Sequence, residues 1–168
     1  MSEPIFKFAI REDLKDNKFD FLPTRATARS AGWDVRAALH SQYVEISPGE
    51  MIKIPLGFRA FCPEGWWFEL RPRSSTFAKK NMHCLYGVID TDYEGEVILA
   101  AQWIPNYGKS PYFMRIDFGD ALGQIIPVKR QDMIIESITN KEYDALCENR
   151  SAERGAGGFG STNGKNND

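Results

Sequence analysis

The sequence predicts an all-β fold: a β-sandwich, jelly roll or barrel. Two observations carry that expectation. Short apolar or alternating runs recur at intervals of roughly 8–12 residues, separated by Gly, Pro and polar clusters. Aromatic residues make up 12% of the chain, with 11 Phe, 6 Tyr and 4 Trp, a composition that suits strands better than helical bundles.

Taken in order, the first strands are Tyr43 to Ile46, Met51 to Leu56, Phe58 to Phe61 and Trp66 to Arg71. They are broken near Pro48-Gly49, at Gly57 and at Pro63-Glu64-Gly65. In the last of them Trp66, Phe68 and Leu70 share one face while Trp67, Glu69 and Arg71 share the other, the period-2 pattern of a half-buried strand. Further strands are expected at Val97 to Ala101, Tyr112 to Ile116, Leu122 to Val128 and Met133 to Ile138, and one short helix from Lys141 to Glu148.

With 168 residues and 19.1 kDa the chain is one domain, or one domain with an appendage. A chain of this mass buries roughly 70% of its unfolded surface, enough for a core without staples. Hydrophobic residues at 42% and charged residues at 26% exclude wholesale disorder. The net charge of −2 argues against a general DNA-binding or membrane-surface protein while allowing a local basic pocket. Cys62, Cys84 and Cys147 are odd in number and lack CxxC spacing, which disfavours a zinc site or disulfide framework and points to a reducing compartment. No signal-like apolar run opens the chain and no 18-residue apolar stretch occurs in it. A cytoplasmic protein is expected, with nuclear placement left open.

The composition changes after Glu153, so the expected organisation is a β domain over residues 1–150 and an arm over 151–168. Arg154 to Asp168 holds five glycines and one aromatic, Phe159. Such a segment reads as a disordered tail. It also has the chemistry of a lid: Gly-rich backbone and Arg154 suit phosphate oxygens, and Phe159 suits a planar ring.

The chemistry-bearing segments begin with Gly87-Val88-Ile89-Asp90-Thr91-Asp92-Tyr93-Glu94-Gly95-Glu96, which reads as a β-hairpin. Its carboxylates can cap a turn, or Asp90 can orient a water as general base while Tyr93 packs on a substrate. Arg73-Ser74-Ser75-Thr76 is either an exposed polar turn or a phosphate-holding one. Asp34 in Ala31-Gly32-Trp33-Asp34-Val35 and Gln124 after Gly119-Asp120 have ordinary readings as a salt-bridge partner and a satisfied amide. His40 and His83 sit in no metal-ligand frame, so any metal would be a hard cation held chiefly by substrate phosphates and water.

Read together and in order, these segments resemble the five motifs of the trimeric dUTP pyrophosphatase (dUTPase) family, from Ala31 to Asn163, about four-fifths of the chain. The Gly87–Glu96 stretch and Arg154-Gly155-Ala156-Gly157-Gly158-Phe159-Gly160-Ser161-Thr162 are the most specific matches. The resemblance implies a jelly-roll-like subunit with a flexible Gly-rich arm, in a homotrimer whose active sites are shared between chains. It implies Mg²⁺-assisted hydrolysis of dUTP to dUMP and pyrophosphate, which limits uracil in DNA and supplies dUMP for thymidylate synthesis. Asp90 would deprotonate the water attacking the α-phosphorus, and Tyr93 would lie against the deoxyribose. Backbone around Cys84, Leu85 and Gly87 would read uracil. Arg73, Ser74, Ser75 and Gln124 would hold phosphates, and Asp34 would reach the metal through water. Phe159 and Gly160 would close over the base, with Arg154, Ser161 and Thr162 on the γ-phosphate. No direct DNA or membrane contact is implied.

Three positions depart from the family pattern. Ala121 and Gly123 replace the Arg and Ala that usually precede Gln124, and Cys84 stands where some members carry Asn. Three rival readings are a dCTP deaminase, whose Glu base would fall at Ala100, a dUTP-bound regulatory protein, and a capsid-type jelly roll, which the Gly-Phe-Gly arm does little to support.

Overall fold

The computed structural model describes residues 3–106, 108, 111–148 and 150. Eleven strands are described: β1 (Lys7–Ile10), β2 (Trp33–Arg36), β3 (Tyr43–Ile46), β4 (Met51–Pro55), β5 (Phe58–Phe61), β6 (Trp66–Pro72), β7 (Met82–Cys84), β8 (Gly87–Ile89), β9 (Ile98–Trp103), β10 (Met114–Asp117) and β11 (Ala121–Lys129). Two α-helices accompany them, α1 (Ser74–Ala78) and α2 (Asn140–Glu148), with one 3-10 turn at Glu12–Leu14.

The strands form four antiparallel sheets in the orders β1-β5, β10-β3, β2-β11-β6-β8 and β4-β9-β7, a jelly-roll-like arrangement. Their apolar faces meet in one core, whose fully buried members include Phe58, Leu70, Leu99, Trp103, Ile116 and Leu122. The longest pairing joins β11 to β6, from Gly123 opposite Pro72 to Lys129 opposite Trp66. In β6, Phe68 and Leu70 turn into the core as the alternation requires. Pro127 falls beyond Ile125, the last residue of β11 paired to β2, where the strand has a single neighbour and a missing N–H is tolerated. A side chain at Gly123 would press on the Arg71 carbonyl at 3.2 Å and on Val35 at 3.3 Å, so a residue without Cβ lets the three strands close up.

The chain divides into two compact units, the first ending at Gln131 and the second beginning at Asp132, well before the change of composition after Glu153. Within the second unit α2 starts with a reciprocal cap. Thr139 N–H donates to Glu142 Oε2 at 2.7 Å, and Glu142 N–H donates to Thr139 Oγ1 at 3.3 Å. The Thr139 N–H and the Thr139 hydroxyl, which donates to Glu142 Oε2 at 2.8 Å, hold the Glu142 carboxyl below its ordinary range.

Three expectations change. Met133 to Ile138 is not a strand. Met133, Ile134 and Ile135 are exposed, Ile134 fully so, and no described strand lies alongside to complete a ladder. The stretch from Gly87 to Glu96 is not a β-hairpin, because β8 pairs with β6 while β9 pairs with β4 and β7; it carries the chain from one sheet to another. The turn after Pro72 contains α1, which five-residue propensity could not announce and which tertiary bonds hold.

The crossing at Gly57 is tightly constrained. Its φ is +78°, and a Cβ would meet Leu14 Cδ1 and, at 2.7 Å, Ala38 Cβ in the small cluster of Leu14, Phe21 and Ala38. Gly57→Ala is expected to lower unfolding free energy by about 2–4 kcal/mol, from left-handed strain plus overpacking. Urea unfolding checks this; an unchanged midpoint would show that the cluster can yield.

Candidate active site

The four-stranded sheet gathers the predicted residues into two groups. At one end of β6 lie Asp34, Arg73, Ser74, Ser75 and Gln124. Asp34 is opposite Gln124 in the β2–β11 ladder, and Gln124 is opposite Arg71 on β6. Gln124 Nε2 donates to the Pro72 carbonyl at 3.3 Å. A Cβ on Gly32 would strike the Gln124 carboxamide, so the glycine of Ala31-Gly32-Trp33-Asp34 makes room for that side chain. Arg73 Nε stands 3.4 Å from Asp34 Oδ1, a loose pairing that leaves most of the guanidinium edge for an anion. Ser74 is exposed and Ser75 half-buried, and neither hydroxyl is bonded among the described residues.

The other group surrounds Asp90. Thr91 Oγ1 donates to the Trp66 carbonyl at 2.5 Å, which fixes the Asp90 turn at the start of β6. Asp90 is exposed and its carboxylate makes no hydrogen bond or ion pair among the described residues. Tyr93 N–H donates to the Asp90 carbonyl at 3.2 Å and Tyr93 OH donates to the Glu96 carbonyl at 2.9 Å. The ring lies across Gly95, where any Cβ would collide with it. Tyr93 is thus braced while its outer face stays open.

Cys84 ends β7 opposite Ala101, and Gly87 begins β8 opposite Leu70, so the chain changes sheets between them. Leu85 N–H anchors the crossing to the Ala100 carbonyl at 2.9 Å, while its side chain is exposed. Cys84, Leu85 and Ala100 line a cleft of about 380 Å³ together with Met51, His83 and Gln102. Burial pushes the Cys84 and Cys62 thiols up to about 11, so both are uncharged at neutral pH. No carboxylate stands at Ala100, which removes the proton shuttle a deaminase reading needs.

The two groups are not brought together within one chain. Asp90 follows Ile89, which pairs with Phe68 near the start of β6, whereas Arg73 follows its end at Pro72. At roughly 3.3 Å per residue this separates them by about 20 Å. Arg154, Phe159, Gly160, Ser161 and Thr162 lie outside the described residues.

The dUTPase family pattern matches residues 20–163, a span that contains both groups. The chain belongs to the dUTPase family. Relatives in that family include deoxyuridine 5'-triphosphate nucleotidohydrolases from Maricaulis maris, 35% identical, and Rhizobium rhizogenes, 34% identical. Each alignment covers 84% of this chain, with 86% and 84% of the relatives respectively. Among solved structures, the dUTPase of Staphylococcus bacteriophage 80alpha with dUpNHpp superposes with a TM-score of 0.74 at 21% identity, covering 94% of this chain and 97% of that one. A mutant dUTPase from phage phi11 of S. aureus, described with a structural Mg(II) ion, superposes with a TM-score of 0.64 at 21% identity, covering 80% and 96%.

Within this dUTPase fold, sequence reasoning placed Thr76 in an exposed or phosphate-holding turn and missed Lys80 and the pairing of Arg71 with Tyr86. Thr76 is buried and its hydroxyl donates to the Leu122 carbonyl at 2.6 Å. The Arg71 guanidinium stands 4.8 Å from the Tyr86 ring centre. Each depends on a neighbour distant in sequence, and no local pattern reports it. No described helix is long and apolar enough to cross a membrane.

The raised thiols give a direct check. Against the ordinary value of 9.0, a value of about 11 leaves about a hundredfold less thiolate at pH 8. Iodoacetamide should therefore alkylate Cys84 about a hundredfold more slowly in the folded protein than in urea. Equal rates would show that burial does not suppress its ionisation.

Proposed function

We propose that this chain hydrolyses dUTP to dUMP and pyrophosphate, in a homotrimer whose active sites are each built from more than one chain. The observation that carries the shared site is the separation along β6. A triphosphate held by Arg73, Ser74, Ser75 and Gln124 cannot present its α-phosphorus to Asp90 of the same chain across about 20 Å. Bringing Asp90 of one copy beside Arg73 of another removes the difficulty. The exposed apolar side chains of Met133, Ile134, Ile135, Tyr143 and Leu146 supply surface of the kind that subunit packing covers.

In this reading Asp90 accepts a proton from a water as its oxygen attacks the α-phosphorus. The bond from that phosphorus to the oxygen bridging to the β-phosphate breaks, and pyrophosphate leaves with the electron pair. The exposed, unengaged carboxylate suits a group that must reach a water. Tyr93, braced by Glu96 and Gly95, supplies a flat wall for the deoxyribose and leaves no room for a 2′-hydroxyl. Backbone at Cys84, Leu85 and Gly87 reads the uracil edge. Arg154, Phe159, Gly160, Ser161 and Thr162 complete the site from the arm.

Among the described residues no three His, Cys, Asp or Glu side chains gather as a metal cage. A single carboxylate at the Arg73 end of β6, Asp34, fits Mg²⁺ bound chiefly through triphosphate oxygens and water, with Asp34 contributing through a water. Bound there, the ion would neutralise phosphate charge. Such an enzyme works wherever dUTP arises, which fits a cytoplasmic or nuclear setting.

Asp90→Asn is expected to lower turnover of dUTP by roughly 10²–10⁴-fold while dUpNHpp affinity stays near the unmodified value. Pyrophosphate release and a dUpNHpp titration check this together. Near-normal turnover would take the base role from Asp90.

A further inference from the structure

The turn that offers Arg73, Ser74 and Ser75 cannot hold its own shape. It opens α1, a five-residue helix that is too short to be stable by its own hydrogen bonds. Its orientation must come from what ties it down: β11 at the front, and Asp120, the residue before β11, at the rear. At the front, Arg73 N–H donates to the Leu122 carbonyl at 3.0 Å, and Thr76 Oγ1 donates to the same oxygen at 2.6 Å. At the rear, two residues past α1, Lys80 Nζ donates to Asp120 Oδ2 at 3.1 Å.

Asp120 is a fixed anchor. The same Oδ2 accepts the Asp117 N–H at 3.2 Å, and the Asp120 carbonyl accepts the Ala37 N–H at 2.9 Å, just past β2. Lys80 and Asp120 are each about one-third exposed, at 33% and 28%, so the pair is only partly screened by water. The residue after Asp120 is Ala121, which has no charge or donor to offer α1. The ionic contact with this corner comes from Lys80, on the chain that leaves the helix.

We infer that Lys80, through Asp120, is a positioning residue that sets the Arg73–Ser75 turn for the β- and γ-phosphates. The inference rests on the phosphate role proposed for that turn. Lys80 touches no substrate; it acts by holding the far end of α1. The chain beyond stays attached, because Ile104 N–H donates to the Asn81 carbonyl at 3.0 Å and Met82 pairs with Trp103 in β9. Losing the pair therefore tilts α1 between that point and the Leu122 carbonyl and displaces Ser74, Ser75 and the guanidinium of Arg73. Displacements of that kind weaken phosphate contacts while β7 keeps its pairing and Asp90 its turn.

The test uses the full chain with Lys80→Met, Lys80→Arg, Asp120→Asn and the double variant Lys80→Met/Asp120→Asn. Inorganic pyrophosphate and dUMP are titrated into each by calorimetry, and dUTP kinetics are measured in parallel. Lys80→Met should weaken pyrophosphate binding and raise KM for dUTP by about tenfold, with kcat and dUMP affinity nearly unchanged. Lys80→Arg should restore both values, and the double variant should be no worse than either single one. Unchanged pyrophosphate affinity in Lys80→Met, or a matching loss of dUMP affinity, would overturn the inference. So would a wild-type protein that binds no pyrophosphate. Absence of pyrophosphate release from dUTP by the wild type is a different failure, and it counts against the hydrolase reading alone.

Discussion

The pairing of β11 with β6 is the constraint on which the rest of the molecule depends. Seven consecutive residue pairs, from Gly123–Pro72 to Lys129–Trp66, lock one strand against the other. β11 carries Gln124 and the Leu122 carbonyl; β6 delivers Arg73 at one end and meets the Asp90 turn near the other. The same ladder that assembles each half of the candidate site holds the halves about 20 Å apart. A rigid sheet cannot fold back to close that distance, and the proposal of sites completed by neighbouring copies rests on that separation.

Glycines mark where the packing is least forgiving. Gly32 leaves space for the Gln124 carboxamide, and Gly95 leaves space for the Tyr93 ring. In each case a glycine is explained by a side chain of the candidate site that lies over it. Polar tethers do the complementary work. Thr76, the one buried polar residue of the described core, spends its hydroxyl on the Leu122 carbonyl and thereby seats the Arg73–Ser75 turn.

Much of this was legible in the sequence. The alternation of Trp66 to Arg71 marked β6, Phe58 to Phe61 coincides with β5, and α2 begins one residue before its expected start at Lys141. Motif order identified the family. What stayed hidden depends on contacts remote in the chain. β1 and β2 are four-residue strands whose character comes from β5 and β11. Met133 to Ile138 has strand-like composition, but a strand also needs a partner edge, which composition cannot report. The Gly87–Glu96 stretch has hairpin punctuation, yet its flanking strands pair elsewhere. Asp34, Arg73 and Gln124 were named from their motifs, whereas Lys80 belongs to none and emerges only once α1 and Asp120 are seen side by side.

If sites are shared as proposed, two chains each lacking a different half should complement one another when their subunits are mixed. Asp90→Asn and Arg73→Ala proteins, each inactive alone, are unfolded together, refolded as a mixture and assayed for pyrophosphate release from dUTP. A site shared between copies predicts that the mixture recovers activity well above either parent, because some sites then combine an intact Asp90 with an intact Arg73. A mixture that assembles into mixed oligomers yet stays as inactive as its parents would place both residues in one chain's site and contradict the account.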